Sequence, residues 1–143
     1  METMNFTRKT LVSLGILLFQ EAIREFSAGV DLDPRSARGF YYLGICHLAL
    51  ENVPDALENL QRAKEMEPGN AGNITELGRA YKLDGDLKKA SDEFREAIRK
   101  NPNLELPHFY LAQVLESQNQ PELSRRHMAE YRRIRDLAAT PPR

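Results

Sequence analysis

AGNITELGRAYKLDGDLKKASDEFREAIRKNPNL, residues 71–104, decides how the rest of the chain is read. Residues 37–70, ARGFYYLGICHLALENVPDALENLQRAKEMEPGN, place residues of the same kind 34 positions earlier. Ile74, Leu77, Gly78, Tyr81, Ala90, Phe94, Ala97 and Pro102 answer to Phe40, Leu43, Gly44, His47, Ala56, Leu60, Ala63 and Pro68. Eight matches at one offset define an internal repeat, and the three- and four-residue steps within it predict amphipathic helices. Helix A of the first repeat is expected over about 37–50, with Phe40, Leu43, Gly44 and His47 on one face. Gly44 lacks a side chain, so a neighbouring helix can approach there; that gain must outweigh the roughly 1 kcal/mol that glycine costs inside a helix. Pro54 suits the first turn of helix B, where a missing N–H costs little, and Pro68-Gly69 closes the repeat. The second repeat predicts helices over 71–84 and 87–100, with Asp84-Gly85-Asp86 as the turn between them.

A large residue, Leu-Gly and an aromatic, followed by Ala, an aromatic, a small residue and Pro, resembles the tetratricopeptide-repeat family. The resemblance implies an all-α, right-handed superhelical solenoid of antiparallel helix pairs, with three to four repeats in a single domain, 1–143. Residues 1–36 form an incomplete first unit: Ala22, Phe26, Gly29 and Leu32-Asp33-Pro34 fit the second half of the pattern, but Lys9-Thr10 stands where Leu-Gly belongs. Residues 105–138 are a degenerate repeat, with Leu111, Ala112 and Leu115, then Ser124, Met128 and Tyr131, at the key places. Asp136 replaces the closing proline, so the last helix is expected to run from 121 to about 138 as a polar cap, with 139–143 a frayed tail.

Lys and Arg total 20 against 21 Asp and Glu, a balance that argues against a dedicated nucleic-acid binder. Arg125, Arg126, Arg132, Arg133 and Arg135 crowd the last helix, but no aromatic platform accompanies them. Cys46 is the single cysteine, which excludes an internal disulfide and a cysteine-rich metal site and suits the cytosol without excluding export. Cys46 and His47 are sequence neighbours and so point about 100° apart on a helix, which does not make a thiol–imidazole pair. His108 and His127 fit no metal-ligand spacing, and the sequence shows no glycine-rich phosphate loop and no Gly-x-Ser-x-Gly. No enzyme, cofactor or metal is expected.

Thr7-Arg8-Lys9-Thr10 precedes the nine-residue apolar run Leu11–Phe19, the outline of a signal peptide. The run is short of the ~20 residues that span a bilayer. Gln20-Glu21 follows rather than small residues suited to cleavage. A buried helix opening the stack is the expectation for residues 1–18. The alternative is a membrane-tethered or exported assembly factor using residues 1–19 as anchor or signal. An incomplete first unit also leaves apolar surface for self-association.

The family resemblance further implies a concave groove lined by the A helices, holding a partner peptide or helix in a protein-interaction scaffold. Its lining is expected to be Arg38, Tyr41, Ile45 and Leu48, then Thr75, Arg79 and Lys82, then Leu106, Phe109, Gln113 and Glu116. A carboxylate would be held near Arg79 or Lys82, with affinity on the order of micromolar. The family's clamp for the carboxyl-terminal tails of Hsp70 and Hsp90 is not reproduced. Its Lys, Asn and Arg places hold Tyr41, Ile45, Glu76, Leu106 and Tyr110, and Glu76 would repel a carboxylate.

Overall fold

The computed structural model describes residues 2–140, and side chains from residue 7 onward. The described residues form seven α-helices and no strand: α1 (Glu2–Leu32), α2 (Ala37–Ala49), α3 (Val53–Met66), α4 (Ala71–Asp84), α5 (Leu87–Lys100), α6 (Glu105–Ser117) and α7 (Pro121–Ala139). The expected tail keeps Ala139 in α7 and Thr140 as its cap, while 141–143 lie outside the described residues. Contacts group the chain into two compact units, residues 1–63 and 64–143.

The helix ends follow local chemistry. Ser36 caps α2 by accepting from the Gly39 N–H at 3.0 Å, and Asn70 caps α4 in the same way from Asn73 at 3.2 Å. Leu104 holds the corresponding place before α6 and offers no side-chain bond. The turn between the two helices of each pair recurs at the same spacing, with Glu51, Gly85 and Asn119 at φ of 58°, 86° and 57°. At each turn the left-handed residue donates its N–H three residues back and the next residue donates five back: Glu51 to Leu48 and Asn52 to His47, Gly85 to Lys82 and Asp86 to Tyr81, Asn119 to Glu116 and Gln120 to Leu115. These paired bonds satisfy carbonyls that a helix end leaves open.

In the first unit, Phe40, Leu43 and Ala63 form the core, with Ile23, Phe26 and Val30 of α1 packed against it. Leu60 of α3 lies so close over Gly44 that a β-carbon there would collide with it. In the second unit the ring of Phe94 occupies the corresponding space over Gly78, 2.6 Å from where a β-carbon would stand. Ala56, Ala63, Ala90 and Ala97 are fully buried, as are Leu60, Ile74, Leu77, Phe94 and Leu111. Small residues on one helix of a pair thus admit large ones from the other, which is the packing the repeat pattern demands.

The first unit departs from expectation at its start. Residues 2–32 are one continuous 31-residue helix that takes in both the expected opening helix and the half-repeat after it. The segment has no proline and no turn-forming cluster before Leu32-Asp33-Pro34 to break it. The apolar run is not buried: Leu11 is 64% exposed, Leu14 51%, Leu17 60% and Leu18 63%. A buried opening helix is therefore corrected to an exposed one, because α1 packs on the core of the first unit through Ile23, Phe26 and Val30, which lie downstream of the apolar run. No helix of the described residues is long and apolar enough to cross a membrane.

Candidate interaction site

In the second unit, the exposed sides of α4 and α6 meet over the ring of Tyr110. That ring stacks on buried Phe94, centroids 5.6 Å apart, which fixes its tilt. Two cations from successive turns of α4 lie over it, the Arg79 guanidinium at 5.2 Å and the Lys82 ammonium at 5.6 Å from the centroid. Arg79 also donates to the Glu76 carboxylate at 2.6 Å. Glu76 is 7% exposed, and burial pushes its carboxyl above the usual range against the pull of Arg79. Lys82 donates to the Gln113 side-chain oxygen. Burial first, and the charge of Arg79 second, hold its ammonium below the ordinary lysine range.

Lys82, Gln113 and Glu116 line one open cavity of about 480 Å³ with Ala112, Ser124 and Met128. The Ser124 hydroxyl donates to the Ala112 carbonyl at 2.8 Å, so that wall is satisfied within the chain. Three of the residues expected from sequence are thus brought together. Thr75 is corrected: it is 2% exposed and its hydroxyl donates to the Ala71 carbonyl at 2.6 Å, so it behaves as an isostere of valine in the core. Phe109 is half-buried against Tyr131, centroids 5.2 Å apart, and it is Tyr110, not Phe109, that lies under the cations. Neighbouring residues on a helix face directions about 100° apart, so Phe109 turns to Tyr131 while Gln113 and Glu116 of the same helix line the cavity as expected.

The first unit carries a related arrangement. The Arg38 guanidinium lies 5.7 Å from the centroid of Tyr42, which stacks on Phe26 at 5.1 Å. These residues line a cavity of about 340 Å³ with Gly29, Asp33, Ser36 and Gly39. Tyr41 packs with the Phe40 cluster, Ile45 is half-buried, and Leu48 is buried.

Sequence reasoning also missed a side-chain pair. His108 and His127 bring their Nδ1 atoms to 3.1 Å, and His108 Nε2 lies 3.3 Å from the Pro102 carbonyl. The signal for half of it was there, since His108 stands 34 residues after Ile74 and takes the same interior place. Cys46 is buried, and burial pushes its thiol pKa up, which disfavours the thiolate. Among the described residues no group of three or more His, Cys, Asp or Glu side chains is arranged to hold a metal.

Helices paired through glycine-and-alanine seams, each pair closed by the same turn, define an all-α repeat protein of the solenoid class. Residues 18–71 match the family model described as tetratricopeptide repeat. Over those residues the chain carries the tetratricopeptide repeat. It is 30% identical over 110 residues to the human PEX5-related protein, an overlap covering 77% of this chain and 16% of that protein. It is 29% identical over 97 residues to anaphase-promoting complex subunit 3 of Schizosaccharomyces pombe, covering 68% of this chain and 15% of that one. The barley protein described as probable UDP-N-acetylglucosamine–peptide N-acetylglucosaminyltransferase SPINDLY is 28% identical over 97 residues, covering 68% of this chain and 10% of its own length. The chain therefore spans about a tenth to a sixth of these relatives. Among solved structures, a crystal structure of MamA superposes with a TM-score of 0.78 at 23% identity, covering 92% of this chain and 75% of that one. MamA from Desulfovibrio magneticus RS-1 gives 0.79 at 22%, covering 91% and 72%. These likenesses describe the fold. Fold and relatives together indicate a protein–protein interaction scaffold.

Proposed function

We propose that the chain is a non-enzymatic scaffold, and that the second unit holds a partner segment along α4 and α6 with an acidic side chain seated at Lys82. The observation that carries this reading is the state of Lys82. Its ammonium is partly desolvated, stands next to Arg79, and is held by neutral groups, the Gln113 oxygen and the Tyr110 ring. Arg79 already has the Glu76 carboxylate. A carboxylate arriving at Lys82 offsets that desolvation with a charge-assisted hydrogen bond. Glu116, exposed on the same cavity, favours a partner that follows its acidic residue with an amide or a cation.

The test is isothermal titration of the full chain with peptides carrying one Asp or Glu, against the same peptides carrying Asn or Gln. Circular dichroism of each variant establishes equal helicity first. Lys82→Glu is expected to weaken acidic peptides about tenfold, the ~1.4 kcal/mol within reach of one charged hydrogen bond. Equal binding by wild type and Lys82→Glu, or indifference to Asp versus Asn, overturns the reading.

A further inference from the structure

The α1 stripe that packs against the core of the first unit does not stop where the core stops. Ile23, Phe26 and Val30 cover Phe40 and Leu43. At the same alternating three- and four-residue steps the stripe continues upstream through Phe19, Ile16 and Val12, exposed by 38%, 44% and 58%. Leu11, Leu14 and Leu18 form a second exposed row beside it. Gly15 sits in the middle of this run. A β-carbon there would meet nothing within 4 Å, so unlike Gly44 and Gly78 it makes room for no neighbour among the described residues. Glycine in mid-helix is costly, and here no contact among the described residues repays the cost.

Charge brackets the run asymmetrically. Arg8 and Lys9 precede it, while Glu21 and Glu25 follow, with Arg24 paired to Glu21. An antiparallel second copy centred on Gly15 sets Leu11 level with Phe19, Val12 with Leu18 and Leu14 with Ile16 along the axis. The same register sets Lys9 level with Glu21 at both ends and opposes the two helix dipoles. A parallel copy sets each cation beside its own equivalent. An anionic lipid surface attracts one end of the run and repels the other.

We propose that residues 8–22 of α1 are a self-association surface, where two copies of this chain pair through antiparallel α1 helices crossing at Gly15. The contact is isologous, so one two-fold axis closes it as a dimer.

Light scattering and sedimentation of the full chain test this over a range from micromolar to hundreds of micromolar. The wild type is expected to dimerise, and Leu14→Glu to remain monomeric at all concentrations with unchanged helicity of residues 37–140. Lys9→Glu and Glu21→Lys are each expected to weaken the dimer several-fold, and Lys9→Glu/Glu21→Lys to restore it, because the exchange rebuilds both end pairs. Under oxidation Gly15→Cys is expected to cross-link and Thr10→Cys is not. A wild type monomeric at hundreds of micromolar overturns the proposal, as does a double variant no better than the single ones. Cross-linking at both positions, or association only with vesicles of anionic lipid, overturns it too.

Discussion

Glu51, Gly85 and Asn119 adopt the same left-handed backbone at the same place in three successive pairs, and each suits it differently. Gly85 does so freely. Asn119 does so at small cost, because asparagine tolerates this region. Glu51 bears the ordinary penalty of an L-residue, about 1–2 kcal/mol, partly recovered because glutamate has less freedom than glycine to lose on folding. Glu51→Gly is therefore expected to stabilise the chain by roughly 0.5–1 kcal/mol, and Asn119→Gly to change little. Urea unfolding with an unchanged slope and a raised midpoint for Glu51→Gly alone checks this. Much at this scale was legible in the sequence. Gly85 between two aspartates announces its turn, and Gly44 and Gly78 announce close approach. Thr75 was not, because a hydroxyl that bonds its own helix backbone is apolar to its surroundings, and composition does not reveal that bond.

At the scale of helices, the contact of α6 with α7 contains a titratable joint. The Pro102 carbonyl can only accept, so His108 donates from Nε2 and its Nδ1 is left as an acceptor when neutral. His127 then donates from Nδ1 across 3.1 Å. Burial, then His108, then Arg95 from α5, hold the His127 pKa below the ordinary imidazole value, with Glu130 opposing them. The native state thus binds fewer protons here than the unfolded chain, whose histidines titrate near ~6.5. The stabilisation is complete above that pH and is lost as pH falls below it towards the lower native value. Denaturant midpoints at a series of pH values from 8 down to 5 are expected to fall on the acid side in the wild type and to fall less steeply in His127→Asn. A common slope for both removes the joint from consideration. Helix extents were the most legible feature of the chain: the α4 and α5 ranges coincide with those read from the repeat, because caps and turns are written in adjacent residues. The α6–α7 contact was less so, since His127 stands where the preceding repeat has Glu93 and only the packing of two helices makes it a partner of His108.

For the whole molecule, repeat proteins draw their stability from neighbouring helices, so protection differs along the chain. Ile74, Leu77, Phe94 and Leu111 are fully buried in the second unit, whereas the upstream half of α1 has intrahelical bonds and little else. Hydrogen exchange of the full chain at dilution is expected to be slowest in α4 and α5 and fastest, among helical residues, between 8 and 21. Raising the concentration is expected to slow that segment selectively. Fast exchange of α4 with slow exchange of 8–21 at dilution contradicts both statements. The exposure of α1 was the least legible feature at this scale, because an apolar run reads the same whether it faces its own core or another molecule.

Ser36, Asn70 and Leu104 stand 34 residues apart at the start of successive pairs, and the first two carry caps. This makes the chain a text with punctuation at regular intervals. A duplicate of residues 70–103 inserted before Leu104 begins with its own capping asparagine and ends where the next pair expects to begin. The molecule can therefore be lengthened by whole sentences without rewriting a word on either side of the insertion.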